Sequence, residues 1–364
     1  MKKNPFQIAY RKSNIKKRTT DLFSKLQFSN PISKHNIREN YRAISRRLVE
    51  FDAEIVQFFY NKCELVQVEL TNISEAFQFF DSQNARGKDL EPHDLLKAFH
   101  LRELADSTTE SEKFQTVNNW ENQDIQELKI IFSRYLYRIR NWSRGYSARK
   151  FTKREVGIFK GVSPSIEEPY PFANLSRIGH FYIDAYNKEY HRNIDNNTMD
   201  FPFQIDQIII NGKRFFEMIE HYVSIMDKIK KLELHSENSK KIMEVLDDYP
   251  GKKRRGDGYV RNLFDCCILY YWDKFGSVDI DRAIEVYFIW AYSLRLRQHS
   301  VQLASTDKHA LKSPFVFKKI KEAIKPSEAF NIEIPLLKST ELKGSRSKVE
   351  KIIGLFIQLK YYNE

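Results

Sequence analysis

The chain has 364 residues, of which 41% are hydrophobic and 14% aromatic, and a formal net charge of +12 at pH 7. This hydrophobic content is enough for a sizeable core and excludes a chain that is disordered throughout. Three cysteines exclude a disulfide-stapled framework. The excess of positive charge favours a polyanionic partner.

The amino terminus and the apolar runs bear on where the protein resides. Met1-Lys-Lys-Asn-Pro leads into more Lys and Arg, without the apolar segment of a signal peptide. The longest uncharged apolar run, from Val286 to Leu294, is shorter than the roughly 20 residues of a membrane helix. We therefore expect a soluble cytoplasmic protein with no membrane partner.

The first 35 residues are basic, and a periodic segment follows them. Apolar residues recur every three or four positions from Ile37, which predicts one long amphipathic helix through about Tyr60. Glu64 to Leu70 then alternates and predicts a short strand. Only 12 glycines and 11 prolines favour helices over a β-sandwich or barrel in the rest of the chain.

A basic turn made of Asn84, Arg86, Gly87 and Lys88 precedes a helix that starts near Pro92. The cations and exposed backbone N–H groups of this turn can hold a phosphate or nucleotide, because a helix start favours anions. The alternative is structural. In that case Asn84 and Gly87 supply only the turn, since glycine tolerates positive φ.

The best nucleic-acid candidate begins with a predicted helix from about Asp124 to Trp142. From Leu128 to Arg154 there is no acidic residue. Cations that hold phosphates alternate there with rings that stack on bases, the two ingredients of single-strand binding. The candidate residues are Arg134, Arg138, Arg140, Trp142, Arg144, Tyr146, Arg149, Lys150, Lys153 and Arg154. Alternatively, the rings pack a core and the arginines extend from a packed face.

Three prolines between Gly161 and Pro171 predict a linker and a domain boundary. Beyond it, periodicity predicts helices at about 174–190, 213–234, 239–246, 259–275, 280–303, 314–324 and 347–361. The apolar parts of the helices at 259–275 and 280–303 are expected at the centre of a bundle, with Asp279 or Asp281 as a cap.

A second basic segment lies on this bundle, between two glycines. It consists of Lys252, Lys253, Arg254 and Arg255. Its loop position makes it a candidate for phosphate contact, and the alternative is a solvated turn.

No complete catalytic motif is present. His180, Tyr182 and Asp184 lie in the densest titratable cluster, but no His-x-x-x-His pair or cysteine supports a metal there, so we interpret His180 as structural. Glu127-Leu-Lys129 has the Glu-x-Lys form of many nucleases, but it sits in mid-helix. We predict no catalytic residue, no metal site and no cofactor in this chain.

The stretch Phe80-Asp-Ser-Gln-Asn-Ala-Arg-Gly-Lys-Asp-Leu-Glu-Pro-His-Asp-Leu-Leu-Lys97 resembles the Asn-x-Arg-Gly-x-x-Leu…Asp-Leu-Leu-Lys block of GmrSD-type restriction proteins. Weaker similarities lie at 203–216 and 290–301. Proteins of that family begin with a ParB/sulfiredoxin-like nucleotide-hydrolysing domain, continue into helices and often end in a His-Asn-His nuclease. The resemblance implies that the basic turn faces the nucleotide-hydrolysing domain.

Both catalytic motifs of that family are missing from this sequence. Asp-Gly-Gln-Gln-Arg, the centre of the family's nucleotide site, does not occur, and no histidine begins the His-x-x-Pro pattern of the nuclease. The chain is similar to the middle of the family's architecture. We therefore expect a split subunit, a truncated gene or an incomplete gene model.

Taken together, these patterns predict a mostly α protein in two parts. Residues 1–160 resemble the distal part of a GmrSD-type N-terminal domain, a small α+β remnant with one strand near 64–70, and residues 161–364 form a helical bundle. The predicted function is a non-catalytic part or subunit of a bacterial antiviral restriction system that binds DNA and couples to a ParB-like nucleotide-hydrolysing partner. One alternative is a nuclease or NTPase completed in trans, and another is an interaction scaffold without nucleic-acid binding.

Overall fold

The structure is predominantly α-helical, which confirms the predicted fold class. It is a computed structural model that describes residues 31–64, 90–104, 108–165, 170–343 and 346–363. The α-helices are α1 Pro31–Val49, α2 Ala53–Lys62, α3 Pro92–Arg102, α4 Glu110–Glu121, α5 Ile125–Ile130, α6 Tyr137–Trp142, α7 Pro171–Lys188, α8 Tyr190–Ile194, α9 Lys213–Lys230, α10 Glu237–Asp247, α11 Arg255–Phe275, α12 Ile280–Leu296, α13 Leu303–Ala310, α14 Val316–Glu322, α15 Pro326–Phe330 and α16 Arg346–Gln358. A π-helical segment, Ile131–Leu136, joins α5 to α6, and short 3-10 helices span Val156–Phe159 and Ser339–Glu341.

The chain divides into two compact units. One contains Met1–Thr71 with Phe114–Asn122, and the other contains Asn72–Lys113 with Gln123–Glu364. This division does not coincide with the boundary predicted near Gly161. The reason is that the π segment and α6 pack against α11, so residues on both sides of the linker belong to the second unit.

The first unit contains α1 and α2, where the periodicity predicts a single helix. Asp52 interrupts the helix with an extended backbone (φ −74°, ψ 179°), and its carboxylate accepts a hydrogen bond from the Ile55 N–H at 2.8 Å. An aspartate in this position satisfies one of the free N–H groups at a helix start. The apolar pattern therefore continues across a break that it does not reveal.

Helices α11 and α12 form the centre of the second unit, as their apolar segments predict. Helix α12 is buried on all sides from Val286 to Leu296, which is typical of a helix inside a core. Its Tyr287 ring packs against Tyr271 of α11 with centroids 6.1 Å apart. Gly276, with φ of 60°, ends α11 in the left-handed region that glycine tolerates best.

The predicted cap of α12 has a different role. Asp279 has φ of 50° and its side chain makes no capping hydrogen bond. The Asp281 carboxylate accepts from the N–H groups of Ser236 at 3.1 Å and His235 at 3.3 Å, and from the Ser239 hydroxyl. Asp281 therefore ties α12 to the start of α10.

The strands observed in the described residues are short. Strand β1, Leu337–Lys338, pairs in parallel with β2, Tyr362–Asn363. The strand predicted near 64–70 lies outside the described residues, apart from Glu64. The basic segment over residues 1–30 lies outside them as well.

A backbone bridge fixes the start of the predicted linker. The Val162 N–H donates to the Ile209 carbonyl, and the Asn211 N–H donates to the Val162 carbonyl, both at 2.9 Å. The Asn211 side-chain oxygen accepts from the Gly161 N–H at 2.7 Å. A Cβ on Gly161 would lie 1.7 Å from the Ile209 carbonyl oxygen, so no larger residue fits here.

We expect Gly161→Ala to lower the free energy of unfolding by about 2–3 kcal/mol, because the added carbon forces the bridged backbones apart. Chemical denaturation measures this loss. The matched control is Gly157→Ala, since a Cβ there meets nothing within 4 Å, and its effect should stay within about 0.5 kcal/mol. Equal stability of the two variants would contradict the close approach at Gly161.

Candidate nucleic-acid interface

The segment from Asp124 to Trp142 is helical, as predicted, but it contains a π section. Asp124 caps its start by accepting from the Glu127 N–H at 2.8 Å. Within the π section the Ser133 hydroxyl donates to the Lys129 carbonyl at 2.6 Å. A π segment rotates the residues that follow it relative to a regular α-helix. The side chains of α6 are accordingly buried, with the half-buried Asn141 as the exception.

Arg138, Arg140 and Trp142 therefore lie in the interior rather than on a binding surface. Arg138 donates to the side-chain carbonyl of Asn262 on α11, and Arg140 donates to the Gln207 carbonyl at 3.1 Å. Burial lowers the pKa of Arg138 and lowers that of Arg140 to about 10. For these residues the packed-face alternative is the one that the structure supports.

One buried carboxylate holds the chain where it leaves α6. Asp307 of α13 accepts from the Trp142 indole N–H at 2.9 Å, the Ser147 hydroxyl at 2.6 Å, the Ala148 N–H at 2.7 Å and Arg149 Nε at 3.3 Å. Burial alone would raise the pKa of Asp307, but these hydrogen bonds lower it below its ordinary value. Bonds to an ionised acceptor are the stronger kind, so they fix the backbone of the following loop.

We call residues 144–154 the anchored loop. Its cationic side chains are exposed to solvent, namely Arg144, Arg149, Lys150, Lys153 and Arg154. Tyr146 is 65% exposed. The ring of Phe151 packs inward, with centroids 5.3 Å from Tyr137 and 5.5 Å from Phe159. The loop thus turns its cations and one ring outward and anchors itself with another ring.

The second basic segment divides in the same way. Lys252, Lys253 and Arg255 are exposed, and Arg255 is the first residue of α11. Arg254 is half-buried and forms an ion pair with the buried carboxylate of Asp257 at 2.8 Å. Arg254 is therefore used by the fold. The other three side chains are exposed, although Lys252 donates to the Asp247 carbonyl and Arg255 donates to the Tyr259 hydroxyl.

Residues 301–310 contact both basic segments. A Cβ on Gly256 would lie 2.7 Å from the Val301 carbonyl oxygen, so the start of α11 lies directly against Val301. A few residues further on, Asp307 binds the anchored loop. Two segments that lie about a hundred positions apart in the sequence therefore flank one short stretch of chain.

Arg138 interacts electrostatically with a hydrogen-bonding partner of each segment. Tyr259, which accepts a hydrogen bond from Arg255 at 2.7 Å, and Asp307 are both near enough to affect the pKa of Arg138, as is Arg134. We define the basic surface as the exposed cations of the two segments other than Lys252, together with Arg134 and Lys308. They are Arg134, Arg144, Arg149, Lys150, Lys153, Arg154, Lys253, Arg255 and Lys308.

The predicted phosphate-binding turn of Asn84, Arg86, Gly87 and Lys88 lies outside the described residues. The helix that follows it is present as α3, with Pro92 in its first turn. The contacts of this turn are therefore not described, and its role in phosphate binding stays a prediction.

His180 belongs to a network of polar side chains within the fold. Buried Arg214 donates to His180 Nδ1 at 3.0 Å, to Asp184 at 2.6 Å and to Glu217 at 2.5 Å. Burial lowers the pKa of His180. Within the described ranges, no group of three or more His, Cys, Asp or Glu side chains could hold a metal ion.

Sequence reasoning missed Asp307 and Asn262, the residues that organise this site. The four donors to Asp307 lie 158 to 165 positions away from it. Asn262 lies 124 positions from Arg138. Local patterns carry no signal for pairs at such separations.

The fold and site define a mostly α-helical protein with an exposed, anchored basic loop. The chain belongs to a family of unknown function (DUF7834), whose model matches residues 112–350, more than half of the chain. The matched range includes the anchored loop and α13 and excludes the 80–97 block. No curated protein and no solved structure matches the chain. Over the described part of the chain, no helix has the length and apolar character needed to cross a membrane.

We expect Asp307→Asn to lower the free energy of unfolding at neutral pH by about 2–4 kcal/mol. The asparagine side chain would place N–H groups against donors that need an acceptor. Each hydrogen bond to a charged group is worth about 1.5–3 kcal/mol. Guanidinium denaturation measures the loss. The control is Asp227→Asn, whose carboxylate is half exposed. Its removal should cost much less than that of Asp307, because solvent screens an exposed ion pair.

The lowered pKa of Asp307 fixes the sign of the pH dependence. A carboxyl group of this kind stabilises the fold above its unfolded pKa, ordinarily 3.8, and the stabilisation is lost as pH falls through the folded pKa. The stability difference between wild type and Asp307→Asn should be full at neutral pH and shrink in acid. A difference that is independent of pH would contradict the role of the carboxylate.

Proposed function

We propose that this chain binds nucleic acid through the basic surface, as a non-catalytic part or subunit of a nucleic-acid-directed bacterial defence system. The observation that carries the proposal is the anchored loop, where a buried carboxylate fixes the backbone from which Arg144, Lys150 and Arg154 extend into solvent. Cations that neutralise phosphates release counterions, which supplies affinity for any nucleic acid. Fixing their backbone in advance reduces the entropy lost on binding.

The proposal includes a partner that hydrolyses nucleotides. The resemblance of the 80–97 block to GmrSD-type proteins supports a ParB-like domain or subunit as that partner. Nucleotide and divalent metal would then be bound by the partner. The three cysteines are free thiols, which supports a reducing compartment such as the cytoplasm.

An interaction scaffold is the second candidate, and α7 favours it. Phe172, Leu175 and Ile178 are exposed and recur every three residues, so they share one face of α7. Exposed apolar groups of this kind mark protein–protein surfaces. On this alternative the positive charge serves solubility, and binding to nucleic acid is absent.

The salt dependence of DNA binding separates the two candidates. We expect wild-type binding to weaken steeply with salt, and the slope of log K against log salt to flatten by roughly one for each phosphate contact removed. Fluorescence anisotropy with a labelled oligonucleotide measures both quantities. The test variant replaces four exposed loop cations with Gln: Arg144, Lys150, Lys153 and Arg154.

A control variant removes the same charge at the other end of α11. Lys228 and Lys231 lie beside Trp272, and the Lys321 carbonyl accepts a bond from Lys274, both near the end of that helix. The control therefore replaces these exposed lysines with Gln: Lys228, Lys231, Lys321 and Lys325. Equal loss of affinity in both variants would mean that only net charge matters. No binding by wild type would favour the scaffold.

Purification of the tagged chain from its native host at low salt tests the partner. We expect a protein that carries Asp-Gly-Gln-Gln-Arg to be recovered with it, and mass spectrometry identifies that protein. Peptides that extend upstream of Met1 would instead show a longer enzyme. If neither is recovered, the proposed coupling to nucleotide hydrolysis is wrong.

A further inference from the structure

The stretch from Tyr137 to Arg154 contains four aromatic rings, and the structure assigns three of them to packing. Tyr137 and Trp142 are buried in α6. Phe151 packs against Phe159 and, with centroids 6.1 Å apart, against Phe132. Tyr146 is the ring that remains in solvent.

The backbone that carries Tyr146 is held on both sides. The Tyr146 N–H donates to the Asn141 carbonyl at 2.9 Å, and the Gly145 N–H donates to the Trp142 carbonyl at 3.1 Å. Gly145 has φ of 80°, a conformation that glycine adopts without strain. On the other side, the Ala148 N–H is bound by Asp307. The exposure of the ring is therefore a feature of an ordered loop.

Tyr146 has exposed cations close to it in the sequence. Arg144 lies two positions before it and is exposed, and Arg149 lies three positions after it with its side chain 59% exposed. Within the described residues the Tyr146 ring makes no contact with another ring or with a guanidinium group. The exposed part of the ring is thus available to a ligand whose phosphates the neighbouring cations can bind.

The surface around the anchored loop is poorly suited to reading a duplex. Proteins that read the major groove insert a helix or a two-stranded ribbon. Here the side chains of α6 are buried apart from the half-buried Asn141, and the exposed cations that follow α6 lie on a loop. In addition, the bases of a duplex are stacked on each other, so a ring reaches their faces only if base steps are unstacked, which costs free energy.

We propose that Tyr146 stacks on a base of a single-stranded nucleic acid whose phosphates are bound by the cations of the anchored loop. This inference rests on the proposed function and specifies its substrate class. An unpaired strand presents both a charged backbone and free base faces, which is the combination that aromatic rings between cations bind. Every base has such a face, so the contact tolerates different sequences and occurs in DNA or RNA.

The test compares Tyr146→Ala with Tyr146→Phe in the full chain. The probes are fluorescein-labelled oligothymidylate, oligouridylate and a DNA duplex of the same length. We expect Tyr146→Ala to weaken single-strand binding by roughly 5- to 100-fold, in line with the value of one base–aromatic stack. Tyr146→Phe keeps the ring and should bind like wild type. The two single strands show whether DNA or RNA is preferred.

A spectroscopic readout detects the stack itself. An oligothymidylate with one 2-aminopurine should be quenched on binding to wild type and to Tyr146→Phe, and less so on binding to Tyr146→Ala. The control is Tyr182→Ala, because Tyr182 is also an exposed tyrosine but lies on α7. Unchanged melting temperatures for these variants would show that folding is intact, as expected for exposed rings.

The outcomes separate this inference from the proposed function. Single-strand binding that is lost in the four-cation variant but unchanged in Tyr146→Ala would overturn the stacking role and leave the proposed function standing. Tighter binding to the duplex than to either single strand would overturn the substrate class. No binding to any of the three probes would overturn both.

Discussion

The candidate interface depends on the need to satisfy one buried carboxylate. An ionised carboxylate without partners is very costly in a protein interior. Asp307 meets this requirement with four donors that come from the short stretch 142–149. Because all four donors belong to one stretch, satisfying the charge also determines the path of the chain. A loop without regular secondary structure thereby acquires a fixed conformation.

The need of buried charged groups for hydrogen-bonding partners also determines which cations remain exposed and able to bind a partner. A guanidinium group that is buried needs acceptors as much as a buried carboxylate needs donors. Arg138 and Arg140 find theirs in the Asn262 amide and the carbonyls of the 205–207 segment. With its pKa lowered only to about 10, Arg140 stays charged at neutral pH. The net charge of +12 is thus shared between cations that stabilise the fold and cations that face solvent.

How much of this the sequence could predict depends on the range of the interactions. The end of α11 at Phe275 and the start of α12 at Ile280 follow from local periodicity and match the structure. The break at Asp52 could not be predicted from the same pattern, because apolar spacing persists across it. The burial of Arg138 and Arg140 could not be predicted either. The sequence pattern around an arginine is the same whether its hydrogen-bond acceptors are water molecules or a distant carbonyl. In addition, the rotation caused by the π segment has no clear local sequence signature.

The two rings of the anchored loop differ in burial for a physical reason. Phe151 has no polar atom, so burial against Phe132 and Phe159 is favourable without a hydrogen-bonding partner. Tyr146 carries a hydroxyl group, and exposure leaves that group hydrated. Hydration of the hydroxyl explains why exposure is tolerated, but it does not explain why the backbone beneath the ring is fixed. The hydrogen bonds to Asn141 and Asp307 that flank this residue order a segment whose side chains contribute little to the core. Ordering of that kind lowers the conformational entropy of the free protein. The loop therefore loses less entropy when a ligand binds to it. The fixed backbone thus follows from the need to satisfy the Asp307 carboxylate, and it leaves the exposed side chains of the loop in place for any ligand.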